Sequence, residues 1–136
     1  MPAIEVQHFL GRARDLLKGM DILRDDLAEY RYSSALLGIH CAISYSDALR
    51  YGLGSVKLSS DDHKSAAEDL RSRLASRKFE QLQGADRLEK LLSRKSRVAY
   101  SSEATREEEA EEIVKQAQRF ARWTEETGRQ LRIEGW

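Results

Sequence analysis

Proline is nearly absent from this 136-residue chain: Pro2 is the single one, so nothing after it carries the ring that breaks a helix. There is one cysteine, Cys41. That excludes an intramolecular disulfide and a cysteine zinc site, and a small buried apolar role is expected rather than that of a nucleophile. The three histidines include no pair at metal-ligand spacing, and no Glu-x-x-His motif accompanies them; no metal and no cofactor is expected. Neither a glycine-rich phosphate loop nor a Gly-x-Ser-x-Gly elbow is present. No apolar run approaches the roughly 18 residues needed to span a bilayer. The opening MPAIEVQHFLGRARD carries acids and lacks a cleavable apolar core, so a cytoplasmic protein is expected. Net charge is also missing: 23 basic residues balance 23 acidic ones, which gives no overall pull toward nucleic acid or a membrane surface.

What remains is a helix-rich composition, 40% hydrophobic and 34% charged, of a length that suits one domain spanning 1–136. Val6, Phe9, Leu10, Ala13, Leu16, Leu17, Met20, Leu23 and Leu27 follow gaps of 3, 1, 3, 3, 1, 3, 3 and 4, which is one face of a helix over 4–27. A second helix is predicted over 32–51, with Ala35, Leu36, Ile39, Ala42, Ile43 and Leu49 inward. Its many small residues let other backbones approach closely, so it is expected at the centre, ending at Gly52-Leu53-Gly54. Ser59-Ser60-Asp61-Asp62 is placed to cap a third helix running to about Phe79. Gly84 reads as an interruption. Leu88, Leu91 and Leu92 mark a short fourth helix ending near Arg97. Thr105-Arg-Glu-Glu108 reads as a capping box for a last helix with Ala110, Ile113, Val114, Ala117, Phe120, Ala121 and Thr124 inward. No segment has strand period. The fold expected is an all-α, four- to five-helix up-and-down bundle with long neighbours antiparallel.

The charge is unevenly spread. Residues 71–106 hold 10 basic against 4 acidic groups, and Arg87, Lys90, Arg94 and Arg97, spaced 3, 4, 3, share one helical face. Arg71, Arg73, Arg77, Lys78 and Lys95 add charge nearby in sequence. Such a row can track phosphates; it can equally be a solvated face paired with the glutamates of 107–112. Tyr100, just beyond it, can stack on a base or pack into the bundle. His40 stands in an apolar helix on the face of Leu36, Ile43 and Asp47, with Ser44 one turn away. A carboxylate near that imidazole would fix its tautomer or raise its pKa; the alternative is a core histidine bonded to Ser44 or backbone. His40 and Asp47 are the candidates for any proton-transfer chemistry.

The order of these features resembles the HEPN superfamily of compact helical bundles: GIHCAISYSDAL (38–49), a glycine loop, Ser-Ser-Asp-Asp-His63, LEKLLSRKSRVAYSS (88–102), then an acidic-start helix with KQAQRFARW (115–123). The likeness covers roughly residues 5–131. It implies a bundle that commonly dimerises. Many members are metal-independent RNases, often toxins paired with a nucleotidyltransferase antitoxin; others bind RNA or nucleotides without catalysis. The family's RNase motif is an Arg followed, four to six residues on, by His. Its Arg matches Arg94, but six positions on stands Tyr100, and no histidine follows His63. Metal-free RNA cleavage needs a group exchanging protons near neutral pH, and tyrosine, with a pKa near 10, is a poor substitute for histidine, near 6.5. The expectation is a non-catalytic, dimeric module that binds RNA or a nucleotide through Arg87, Lys90, Arg94, Arg97 and Tyr100. The alternatives are an RNase toxin with His40 and Asp47 in a rearranged site, and a structural protein-interaction bundle.

Overall fold

A computed structural model describes residues 2–55 and 63–136. In chain order the helices are α1 (Pro2–Leu23), α2 (Arg31–Gly52), α3 (His63–Ser76), α4 (Gln83–Ser93), α5 (Lys95–Tyr100) and α6 (Glu107–Gln130), with a 3-10 turn at Arg24–Asp26 after α1. There is no strand among the described residues, as the apolar periodicities require. The Ser59-Ser60-Asp61-Asp62 cap lies outside the described residues.

The central place expected of the small-residue helix is where α2 sits. It touches α1, α3, α4, α5 and α6, and Ser34, Ala35, Gly38, Ile39, Cys41, Ala42, Tyr45, Ala48 and Leu49 are all buried in it. Val6 lies against Gly52 and Gly19 against Leu37, and Cys41 Sγ donates to the Ala13 carbonyl at 3.4 Å, so α1 and α2 run antiparallel. The direction of α6 is different. Gly38 meets Ile113 and Ala117, and Gly52 meets Ile133, so α6 is parallel to α2. The shorter helices α3–α5 carry the chain back between them, so alternation does not extend to every long pair.

Several boundaries differ from the sequence expectation. The first helix stops at Leu23 rather than Leu27 because Asp25 and Asp26 follow, two carboxylates at the negative end of the dipole; they are taken into the 3-10 turn instead. The box at Thr105–Glu108 does not form. Arg106 is the cap residue without a side-chain cap bond, Thr105 is buried, and Glu107, Glu108 and Glu109 complement the dipole from the first turn.

The fourth helix breaks in the middle of its basic row. Ser93 Oγ donates to the Lys90 carbonyl at 2.6 Å, and the Arg94 N–H, which would otherwise take that carbonyl, goes to Leu91 O at 3.2 Å. A serine hydroxyl competing for a helical carbonyl is enough to disturb the ladder. Gly84, far from interrupting, lies in the first turn of α4. A Cβ there would collide with the Trp123 indole of α6, so the missing side chain is what lets α4 and α6 close.

Three helix ends share one device. After α2, Ser55 N–H bonds Arg50 O at 2.9 Å and Gly54 N–H bonds Tyr51 O at 3.0 Å, with Gly54 at φ +106°; this is the Schellman pattern. Phe79 to Leu74 O with Lys78 to Ala75 O, and Ile133 to Gly128 O with Arg132 to Arg129 O, repeat it. In those two, non-glycine residues take the left-handed position, Lys78 at φ 58° and Arg132 at φ 53°.

Candidate functional site

The basic row survives as a surface, but it is divided. Arg87 and Lys90 lie on α4, Arg94 is the joint between α4 and α5, and Arg97 and Tyr100 are on α5. Arg97 is committed within the protein: Nε donates to Glu109 Oε2 at 2.8 Å and Nη1 to Glu103 Oε2 at 3.0 Å. Arg94 approaches the same Glu109 oxygen only at 3.6 Å and keeps 42% of its side chain exposed. Glu109 is 12% exposed, and its other oxygen, Oε1, is buried without a hydrogen-bond partner. The expected pairing with the glutamates at the head of the last helix is therefore real for Arg97 and partial for Arg94.

Lys90, Arg94, Leu91, Ile113, Glu112 and Gln116 line a cleft of about 240 Å³ between α4 and α6, large enough for a phosphate and part of its sugar. Tyr100 does not pack into the bundle; it is 79% exposed. Two neighbours in sequence are not part of this surface. Arg71 bonds Asp86 at 2.7 Å and Glu89 at 3.1 Å, and Arg73 bonds Asp69.

His40 is exposed, so it is not the core histidine that one reading of its helix allowed. Partial desolvation by its surroundings lowers its pKa below the ordinary histidine value, and the Lys95 ammonium lowers it further. An adjacent carboxylate would raise it; Asp47, half-buried and about 10 Å along the axis, does not set it. Lys95, the residue after Arg94, is the one charged group that contributes to the shift, and α2, which carries His40, packs against α5. Cys41 is buried, its thiol pushed up to about 12 by burial, so it is a thiol and not a thiolate at neutral pH. Among the described residues no group of carboxylates, histidines and cysteine has the makings of a metal site, and no helix is long and apolar enough to cross a membrane.

A second polar cluster was missed by the sequence reading. Arg14 donates from Nε and Nη2 to the two oxygens of Glu125, each at 2.8 Å, and the buried Tyr45 hydroxyl donates to Glu125 Oε2 at 2.8 Å. Burial alone would push the Glu125 carboxyl up, but the hydrogen bonds from Arg14 and Tyr45 outweigh it and hold it below the ordinary value. Burial and Glu125 hold the Tyr45 phenol well above its own. The signal available was a tyrosine amid the small residues of the central helix; nothing in the spacing tied it to Arg14 or Glu125, 31 and 80 positions away in sequence.

Comparison with family models, curated proteins and solved structures finds no match, so the residues themselves carry the functional argument.

Proposed function

We propose that this chain is a HEPN-like helical module that binds RNA or a nucleotide, without catalysis, through the α4–α5 face. The observation that carries this reading is the cleft in which Lys90 and half-exposed Arg94 stand together, with Arg87 along α4 and exposed Tyr100 beyond. Arg97 supports this face: it donates a hydrogen bond to Glu109, so that Arg94 meets the carboxylate only at 3.6 Å and keeps part of its charge for a ligand. Tyr100 offers a ring for a base to stack on. Homodimerisation, a nucleotidyltransferase partner and a cytoplasmic location belong to the same resemblance and stand or fall with it; sedimentation of the full chain tests the first of these.

The test is fluorescence anisotropy with a labelled single-stranded RNA 12-mer. Three phosphate contacts, from Arg87, Lys90 and Arg94, give a salt slope of about −2, so affinity falls roughly 18-fold between about 50 and 200 mM salt. Arg87→Ala/Lys90→Ala leaves one contact and a fall of about 2.5-fold. Absence of binding, or an unchanged slope in the double variant, rejects the proposal.

The exposed His40, whose pKa is lowered by desolvation and by the Lys95 ammonium, favours one second reading, a metal-independent RNase. A histidine kept neutral at pH 7 is a competent proton acceptor. Incubating the same RNA with the protein in EDTA decides between them. Cleavage that disappears in His40→Ala establishes the RNase; intact RNA with wild type leaves the binding module.

A further inference from the structure

The cluster of Arg14, Tyr45 and Glu125 forms one wall of a pocket that the α4–α5 face does not reach. It opens between α1, α2 and α6, and its volume is about 570 Å³, within the range of small-molecule sites. Half-buried Leu17 offers apolar surface, with Ala121 and Tyr45 buried in the wall behind it, and Lys18, Arg24 and Arg122 bring cations to it. With Arg14, four positive groups line the pocket against two negative ones, Asp21 and Glu125.

Both anions are already occupied. Glu125 takes two hydrogen bonds from Arg14 and one from Tyr45. Asp21 accepts from Gln118 Nε2 at 3.0 Å and faces Arg24 at 3.7 Å. Lys18 and Arg122 are exposed and have no ion pair or hydrogen bond among the described residues. They stand on α1 and α6 and both line the same pocket, so both charges bear on one space. The internal bonds also fix the walls: Arg14 and Gln118 tie α1 to α6, and Tyr45 ties α2 to α6.

From this geometry we infer that the pocket binds a small organic dianion, a phosphate monoester or a dicarboxylate, with an apolar or aromatic body. Lys18 and Arg122 clamp the anionic group, and the body lies against Leu17 at the mouth of the pocket. The surplus of two positive charges matches a dianion, and a doubly charged ligand gains from both cations where a monoanion engages them incompletely. The site is independent of the RNA-binding reading, because it shares no residue with the α4–α5 face.

Isothermal titration calorimetry on the full chain tests it. Phenyl phosphate is titrated at about pH 7.5, where a monoester with a second pKa near 6 is a dianion; phthalate is the dicarboxylate arm, benzoate the monoanion and benzyl alcohol the neutral control. One-site saturable binding is expected for at least one dianion, about tenfold or more tighter than for benzoate. Whichever dianion binds more tightly identifies the ligand's anionic group. Lys18→Ala/Arg122→Ala, at two exposed positions that leave the fold intact, weakens binding by about tenfold or more. Arg87→Ala/Lys90→Ala leaves it unchanged. The inference is overturned if no dianion saturates, if benzoate or benzyl alcohol binds equally well, or if binding is lost in the Arg87/Lys90 variant rather than in the Lys18/Arg122 one.

Discussion

Single residues carry two features that local pattern does not announce. The carboxyl of Glu125 is held below its ordinary value because Arg14 and Tyr45 bond its ionised form more strongly than burial opposes it. A depressed folded-state pKa stabilises the fold above the unfolded value, and that contribution is lost as pH falls through the folded value. The thermal midpoint of wild type should therefore exceed that of Glu125→Gln by its full margin at neutral pH. The margin should shrink as pH drops below the reference 4.5; a margin that persists into strong acid contradicts the assignment. Lys78 is the second feature. Its φ of 58° is costly for a residue with a Cβ and costs glycine almost nothing, and its side chain is exposed. Lys78→Gly should stabilise the chain by about 0.5–1 kcal/mol, or about 2–4 °C in Tm, measured by circular dichroism.

At the scale of elements, apolar periodicity placed the helices well because burial against a neighbour demands the same face from every turn. In α6, Ala110, Ile113, Val114, Ala117, Phe120, Ala121 and Thr124 are buried, the set that the spacing picks out. The ends were harder to read. A serine that takes its own helix's carbonyl, as Ser93 does, looks like any other serine in sequence. A glycine that admits an indole looks like a breaker. Because Gly84 faces the Trp123 ring, Gly84→Ala should cost about 1–3 kcal/mol through overpacking. Urea unfolding followed by tryptophan fluorescence measures this, and the native emission should shift as Trp123, whose Nε1 donates to Gln81 O at 3.1 Å, is displaced. Unchanged stability and emission would mean that α4 and α6 have room to separate.

In the whole molecule, long-range ion pairs decide which charges are available. Arg50 is 3% exposed and bonds Asp69 at 2.8 Å, and Arg73 bonds the other oxygen of that carboxylate at 2.9 Å, so α2 is tied to α3 through one aspartate. Arg97 is likewise spent on Glu109 and Glu103. Counting basic residues along the chain could not separate these from Lys90 or Lys18, since the difference is only whether a carboxylate from another helix arrives.

The sequence by itself determined the four long helices, most of their buried positions and the central position of α2. Each follows from local spacing and residue size, which act over a few turns. It also located the basic row from Arg87 to Arg97 and the place of Tyr100 at its end. The tertiary structure decided the rest: that α6 runs parallel to α2, that Arg97 is neutralised while Arg94 stays half free, that His40 is exposed, and that Arg14, Tyr45 and Glu125 meet at all. These are relations between residues distant in the chain, and they exist only once packing has brought the helices to within hydrogen-bond range.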